Sequence, residues 1–208
     1  MKKTADIVVV LDRSGSMETI KNETINGFNN FVEKQKKSGI NAQLTLVQFD
    51  DEYEQVYQQC PINEAPKMTT ETFVPRGLTA LLDAIGRTIK STRKYQKQHN
   101  ETDNKTIFVI ITDGGENASV DYSREDIFKK ITKMEKKHQW EFVFLAANQD
   151  AIATARHYGI SAKKAIRFAA DKVGTKDVFE SVSDNMLYSL AHDTTFGFRK
   201  KDREKQER

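Results

Sequence analysis

Only one cysteine, Cys60, occurs in this chain. No internal disulfide can therefore close, and no thiolate cluster can hold a metal. A half-buried structural thiol is its expected role, compatible with a reducing compartment. Long apolar runs are missing too. None approaches the roughly 20 residues of a membrane span. The run after the N-terminal lysines extends only from Ile7 to Leu11, short of the about 7 or more apolar residues of a signal peptide. A cytoplasmic location is the expectation. Charge of one sign is scarce: the net formal charge is +3. The segment Arg199–Arg208, with six basic and three acidic residues, carries all of it. The rest is balanced, which argues against a broad nucleic-acid surface. Prolines number three, and Pro61, Pro66 and Pro75 all fall in one stretch.

What is present suits one globular domain. The 208 residues, 38% hydrophobic and 30% charged, can bury a core without staples. Residues 1–192 read as that domain, and 193–208 as a charged, disordered tail. Short apolar runs alternate with helical patterns. Asp6–Leu11 is continuous and β-branched, as in a strand buried on both faces. Met17, Ile20, Thr24, Phe28, Phe31 and Val32 then form one helical stripe, ended by Lys36, Lys37 and Gly39. Leu44–Phe49 is a second strand. Tyr53–Gln59, polar and alternating after a short turn, is an antiparallel edge strand. A long proline-bearing link leads to a helix beginning near Thr79. Strands at Ile107–Ile111, Phe142–Ala146 and Ala165–Phe168 follow. Between and after them lie helices opened by the capping box Ser123-Arg124-Glu125-Asp126, at Asp150–Tyr158 and at Val178–Leu190.

This alternation predicts an α/β, doubly wound, mostly parallel sheet of six strands with one antiparallel edge strand and helices on both faces. In such sheets ligands bind beyond the carboxyl ends of the strands, where the strand order reverses. There stand Asp12-Arg13-Ser14-Gly15-Ser16 after the first strand and Thr112-Asp113-Gly114 after the fourth. Gly77-Leu78-Thr79 lies between them in sequence, where the long link enters a helix. One crevice can gather all three. Hydroxyls and carboxylates suit a hard cation such as Mg²⁺, which takes oxygen ligands and keeps several waters. With three neutral hydroxyls among five donors, the ion stays short of negative charge and calls for an external anion.

These segments resemble the metal-ion-dependent adhesion site of von Willebrand factor A domains. All five motif positions occur in order: Asp12, Ser14, Ser16, Thr79 and Asp113. The resemblance covers about residues 4–190 and points to a stand-alone, bacterial-type member. It implies Ser14, Ser16 and Thr79 as direct or near-direct ligands of Mg²⁺, with Mn²⁺ or Ca²⁺ as other fillers, and Asp12 and Asp113 often bonded through water. It also implies a protein partner whose Asp or Glu carboxylate completes the shell, and so a metal-dependent protein-binding module, not an enzyme.

The competing reading is a metal-dependent phosphoryl-transfer or hydrolytic enzyme in the same crevice. Aspartate-nucleophile phosphatases place a second Asp two residues after the first, where this chain has Ser14. No Gly-x-x-x-x-Gly-Lys loop is present, and no histidine sits at a strand end. Around the motif, Asp50, Asp51, Asn148, Gln149 and Asp150 read as turn and capping residues. Arg13 reads as a surface salt bridge, and Trp140 as packing. Glu116 and Asn117 either rim the site or belong to a solvated loop.

Overall fold

The computed structural model describes residues 4–147 and 150–207; Asn148 and Gln149, read above as turn residues, lie outside them. Six strands form one sheet in the order β3-β2-β1-β4-β5-β6. They are β1 (Ala5–Asp12), β2 (Ala42–Phe49), β3 (Tyr53–Pro61), β4 (Lys105–Thr112), β5 (Glu141–Ala146) and β6 (Ala165–Arg167). All neighbours pair in parallel except β2 and β3. The helices are α1 (Lys21–Lys37), α2 (Leu81–Gln98), α3 (Arg124–His138), α4 (Ala151–His157), α5 (Lys172–His192) and α6 (Lys200–Glu204). This is the α/β architecture that the alternation predicts.

Strand β1 is buried along its whole length because helices cover both faces. Successive side chains point to opposite sides. Ile7, Val9 and Leu11 meet Phe28 and Phe31 of α1 and Phe179 and Val182 of α5. Val8 and Val10 meet Leu82 and Ile85 of α2 and Ile127 and Ile131 of α3. Helices α1 and α5 approach closely at Gly27, where a Cβ would fall 2.3 Å from the Phe179 ring. Trp140 packs with Phe108 and Phe142 at centroid separations of 6.4 and 6.1 Å.

Three local expectations change. Helix α5 starts at Lys172, six residues before Val178, capped by the Asp171 side chain accepting from Gly174 N at 2.7 Å. Its first turns carry Lys172, Lys176 and an exposed Val173, so no apolar stripe marks them. Arg13 is buried, not at the surface: its guanidinium meets buried Asp50 at 3.0 Å and also pairs with Glu54. The segment read as a disordered tail packs on the body. Phe196 and Phe198 join the core at 2% and 8% exposure. The carboxylate of Asp202 is buried and accepts from Asn185 Nδ2 at 2.9 Å and Arg199 N at 2.7 Å. Charge counting hid two aromatics that supply enough apolar area to hold the segment down.

Candidate metal centre

Strand β1 turns to β2 on one side and pairs with β4 on the other, so the strand order reverses between β1 and β4. The candidate residues gather at that point, at the carboxyl ends. Asp12 closes β1 and is wholly buried. Its Oδ1 accepts from Ser14 N at 2.6 Å, which folds the chain back into a tight turn. Its Oδ2 accepts from Thr112 Oγ1, also at 2.6 Å, across the β1–β4 seam. The hydroxyls of Ser14 and Ser16 stand 3.3 Å apart. Ser16 donates to Asp113 Oδ1 at 2.7 Å, joining the first loop to the one after β4.

Thr79 enters the same crevice from the loop before α2. Its Oγ1 and the Ser16 Oγ each lie 3.6 Å from the point where a Cβ on Gly114 would sit. The glycine thus leaves open a cradle bounded by two hydroxyls. The five predicted residues, Asp12, Ser14, Ser16, Thr79 and Asp113, are brought together as a group.

The surrounding loops are stitched to one another. Gly15 N donates to Gly77 O at 3.2 Å, and Arg76 N to Arg13 O at 2.8 Å. Gly77 sits at φ +63°, and a Cβ there would overlap Asp51 Oδ1 at 1.9 Å. Asp51 Oδ1 accepts from Leu78 N at 3.1 Å. Asp50 accepts from Arg13 and from Arg76 at 3.0 and 2.8 Å, and its carbonyl accepts from Ala80 N at 2.9 Å. The Asp50–Asp51 turn therefore braces the Thr79 loop rather than facing a ligand. The arginines and the hydrogen bond from Glu52 N hold the Asp50 carboxyl below its usual range, against the opposing effect of burial.

Glu116 and Asn117 are also braces, a role outside both readings left open above. Asn117 Oδ1 accepts from Thr79 N at 2.8 Å. Glu116 Oε2 accepts from Leu82 N at 2.9 Å, satisfying a free amide in the first turn of α2. Thr112, Arg76 and Gly77 are supports that sequence reasoning did not single out. Thr112 lay within a quoted motif, but only the β1–β4 pairing reveals its contact with Asp12.

The electrostatics call for a cation. Burial pushes the Asp12 carboxyl up to about 6, against the lowering effect of hydrogen bonds from Thr112 and Ser14, with the nearby Asp113 charge adding to the rise. Burial also raises Asp113. Among the described residues neither carboxylate has a basic partner within ion-pair distance. No group of three His, Cys, Asp or Glu side chains placed to hold a metal ion occurs among the described residues. The donors are all oxygen, three hydroxyls and two carboxylates, which matches a hard divalent ion and not a soft one. The residues present fit such an ion.

A sequence profile of the von Willebrand factor type A domain matches residues 6–184, and the chain belongs to that family. No curated protein matches it. Solved structures share its fold. One is proximal thread matrix protein 1 from the mussel byssus with a zinc-occupied MIDAS motif, at TM-score 0.65 and 15% identity, over 91% of this chain and 48% of that one. Another is the pilus adhesin SpaC from Lactobacillus rhamnosus GG, at TM-score 0.69 and 14% identity, over 90% of this chain and 30% of the adhesin. A third is the manganese-loaded Plasmodium vivax TRAP protein, at TM-score 0.53 and 14% identity, over 71% of this chain and 59% of that one. The chain thus spans from under a third to about three fifths of the length of these structures. Among the described residues no helix is long and apolar enough to cross a membrane.

Proposed function

We propose that this chain is a metal-dependent protein-binding module. Asp12, Ser14, Ser16, Thr79 and Asp113 hold a divalent cation, with Mg²⁺ the expected occupant and Mn²⁺ or Ca²⁺ also accommodated. The observation that carries this reading is a pair of carboxylates without basic partners, one of them wholly buried, converging with three hydroxyls in one crevice. The zinc and manganese named for two structurally similar proteins support a divalent ion in such a crevice. When bound, the ion supplies Lewis-acid attraction for an anionic oxygen. A partner protein would meet that demand with an Asp or Glu carboxylate.

A histidine-based hydrolase would need an imidazole at this pole. The four histidines, His99, His138, His157 and His192, instead stand at the carboxyl ends of α2, α3, α4 and α5, at the other pole. That arrangement supports binding over histidine-based hydrolysis, and this reading uses Asp12 and Asp113 as metal ligands. A cytoplasmic setting and a partner other than nucleic acid belong to the same reading.

Calorimetric titration with Mg²⁺ and Mn²⁺ tests it. Saturable one-to-one binding is expected, weakened at least about tenfold in Thr79→Ala, a loss of about 1.4 kcal/mol. No binding by the wild type, or equal binding by both, would refute the metal site. A pull-down with and without chelator then tests the partner: retention indifferent to chelator rules out capture through the metal.

A further inference from the structure

The fold gathers charge that the chain total conceals. Residues 84–98 of α2 hold five cations and no acid. Residues 127–138 of α3 hold five cations and one acid, Glu135, which is engaged with Lys164 at 3.0 Å. Ten cations against one acid far exceed the net +3 of the whole chain. The nearest acids in sequence stand at the helix ends. Asp83 opens α2, Glu101 and Asp103 follow it, and Asp121, Glu125 and Asp126 stand at the start of α3. Of the ten cations, Arg87 pairs with Asp121 at 2.7 Å and Lys129 with Glu125 at 2.6 Å. Lys90, Arg93, Lys94 and Lys97 of α2 have no acidic partner within ion-pair distance among the described residues. Neither do Lys130, Lys133, Lys136 and Lys137 of α3.

The two helices lie side by side. The Tyr122 ring packs on Gly86 of α2, where a Cβ would fall 2.7 Å from it, and Lys130 Nζ of α3 stands 5.1 Å from the centre of the same ring. Ile85, Ile89 and Gln96 turn one side of α2 inward, and Ile127, Ile131 and Met134 one side of α3. Lys90, Lys94 and Lys97 are left exposed on one helix, and Lys133, Lys136 and Lys137 on the other. The two sets converge on His138. Its imidazole is held below its usual value by burial first, then by Arg93 and Lys97 of α2 and Lys133 and Lys137 of α3.

Attraction to helix carboxyl ends accounts for Lys97, Lys136 and Lys137, which stand in the last turns. It does not reach Lys90, Arg93, Lys94, Lys130 or Lys133. These residues create like-charged neighbours four apart: Lys90 with Lys94, Arg93 with Lys97, Lys129 with Lys133, and Lys133 with Lys137. Each such pairing destabilises a helix. Elsewhere the chain does the opposite, placing Glu180 and Glu204 four residues after Lys176 and Lys200, at 3.8 and 3.4 Å. A helix face that repels itself is relieved by an external polyanion.

We propose that the outer face of α2 and α3 docks on an anionic phospholipid membrane, held to the headgroup layer by charge. Seven of the eight unpaired cations are lysine, point charges that suit a diffuse anionic surface, whereas gripping single phosphates favours arginine forks. The face gives nucleic-acid bases no free stacking platform, because Tyr95 is stacked on His99 at 3.9 Å and Tyr122 lies against Lys130. Helix α2 exposes no large apolar side chain and α3 only Phe128, so attraction and not insertion holds the protein there. The five candidate metal ligands lie outside this face.

Co-sedimentation with vesicles tests this, using phosphatidylcholine with about a third phosphatidylserine, at about 0.15 M NaCl. Chelator is present throughout, so the metal centre takes no part. Saturable binding is expected, with none to pure phosphatidylcholine. Changing Lys90, Lys94, Lys133 and Lys137 together to Glu should weaken it at least about a hundredfold. Changing the same four to Gln should weaken it at least about tenfold. Loss of like-charged neighbours should leave the Tm of the Gln variant no lower than wild type, which separates lost binding from lost fold. Lys37, Lys67, Lys172 and Lys201 are exposed lysines off this face. Changing those four to Glu alters the net charge equally and should weaken binding less than about threefold. No binding to the anionic vesicles, or equal weakening by the two Glu sets, would overturn the proposal. Tighter binding to mixed-sequence duplex DNA at the same ionic strength would overturn it too, by assigning the face to nucleic acid.

Discussion

Replacing Asp12 by Asn should stabilise the metal-free protein and abolish its response to metal, two effects of opposite sign from one change. Asp12 is wholly buried and its carboxyl is pushed from 3.8 to about 6 by burial. A group whose folded pKa is raised contributes stability fully present below pH 3.8 and lost as pH rises through about 6. Above that window the ionised form costs about 3 kcal/mol in the metal-free state. Asn keeps the shape. Its Oδ1 still accepts from Ser14 N, and the Thr112 hydroxyl can turn to Gly114 O, 3.1 Å away. For a domain of this size, about 3 kcal/mol corresponds to a rise in Tm of roughly 6–12 °C, which is a ceiling because the substitution also adds a donor to the pocket. Mg²⁺ at a hundredfold its Kd should stabilise the wild type by about 2.7 kcal/mol. The variant should gain almost none of this. Thermal unfolding at pH 7.5 in chelator and in saturating Mg²⁺ reads both numbers. A variant less stable than wild type in chelator, or one with an undiminished Mg²⁺ shift, would refute the reasoning.

At Gly77, substitution by Ala meets a positive φ and the Asp51 carboxylate. Destabilisation of about 1–3 kcal/mol and weakened metal binding are expected from chemical denaturation and calorimetry, and an unchanged denaturation midpoint would discount the bracing role of this loop. Phe196→Ala should cost about 3–5 kcal/mol, because the ring is buried in the α1/α5 core; a loss below about 0.5 kcal/mol would restore the disordered-tail reading. Asp6, buried and pushed up to about 6 by burial against hydrogen bonds from Gln96 and Asn104, makes stability fall as pH rises from 3.8 through about 6. Asp6→Asn should flatten that part of the pH–stability curve and equal or exceed wild type at pH 8, and a steeper fall in the variant would contradict the assignment.

Much of the fold was legible because its signals are local. The β-branched run before Asp12 and the continuous apolar runs of β4 and β5 require burial on both faces, and that demands helices on both sides. The Ser123–Asp126 box sets the start of α3 by its own hydrogen bonds. The candidate segments at Asp12 and Asp113 were readable because each follows a strand end directly, and that at Thr79 because it leads into a helix. Arg13 was misplaced for the converse reason. Its partner Asp50 is 37 residues away, and nothing near Arg13 in sequence announces that pairing. The chain after His192 was misjudged because composition weighs every residue alike, whereas Phe196 and Phe198 outweigh their charged neighbours once a groove exists to receive them.

Sequence alone determined the kinds of atoms available at the crevice and the strand ends that carry them. An oxygen-only donor set and the alternation of strand and helix are properties of residue type and spacing. Only the tertiary structure decided that the Ser16 and Thr79 hydroxyls flank one glycine, that Thr112 clamps Asp12, and that Glu116 and Asn117 are supports. Those facts depend on the β1–β4 pairing and on loops meeting across the sheet end. Hydrogen bonding and charge act over a few ångströms, and residues 30 to 100 positions apart come within that range only when the whole core has closed.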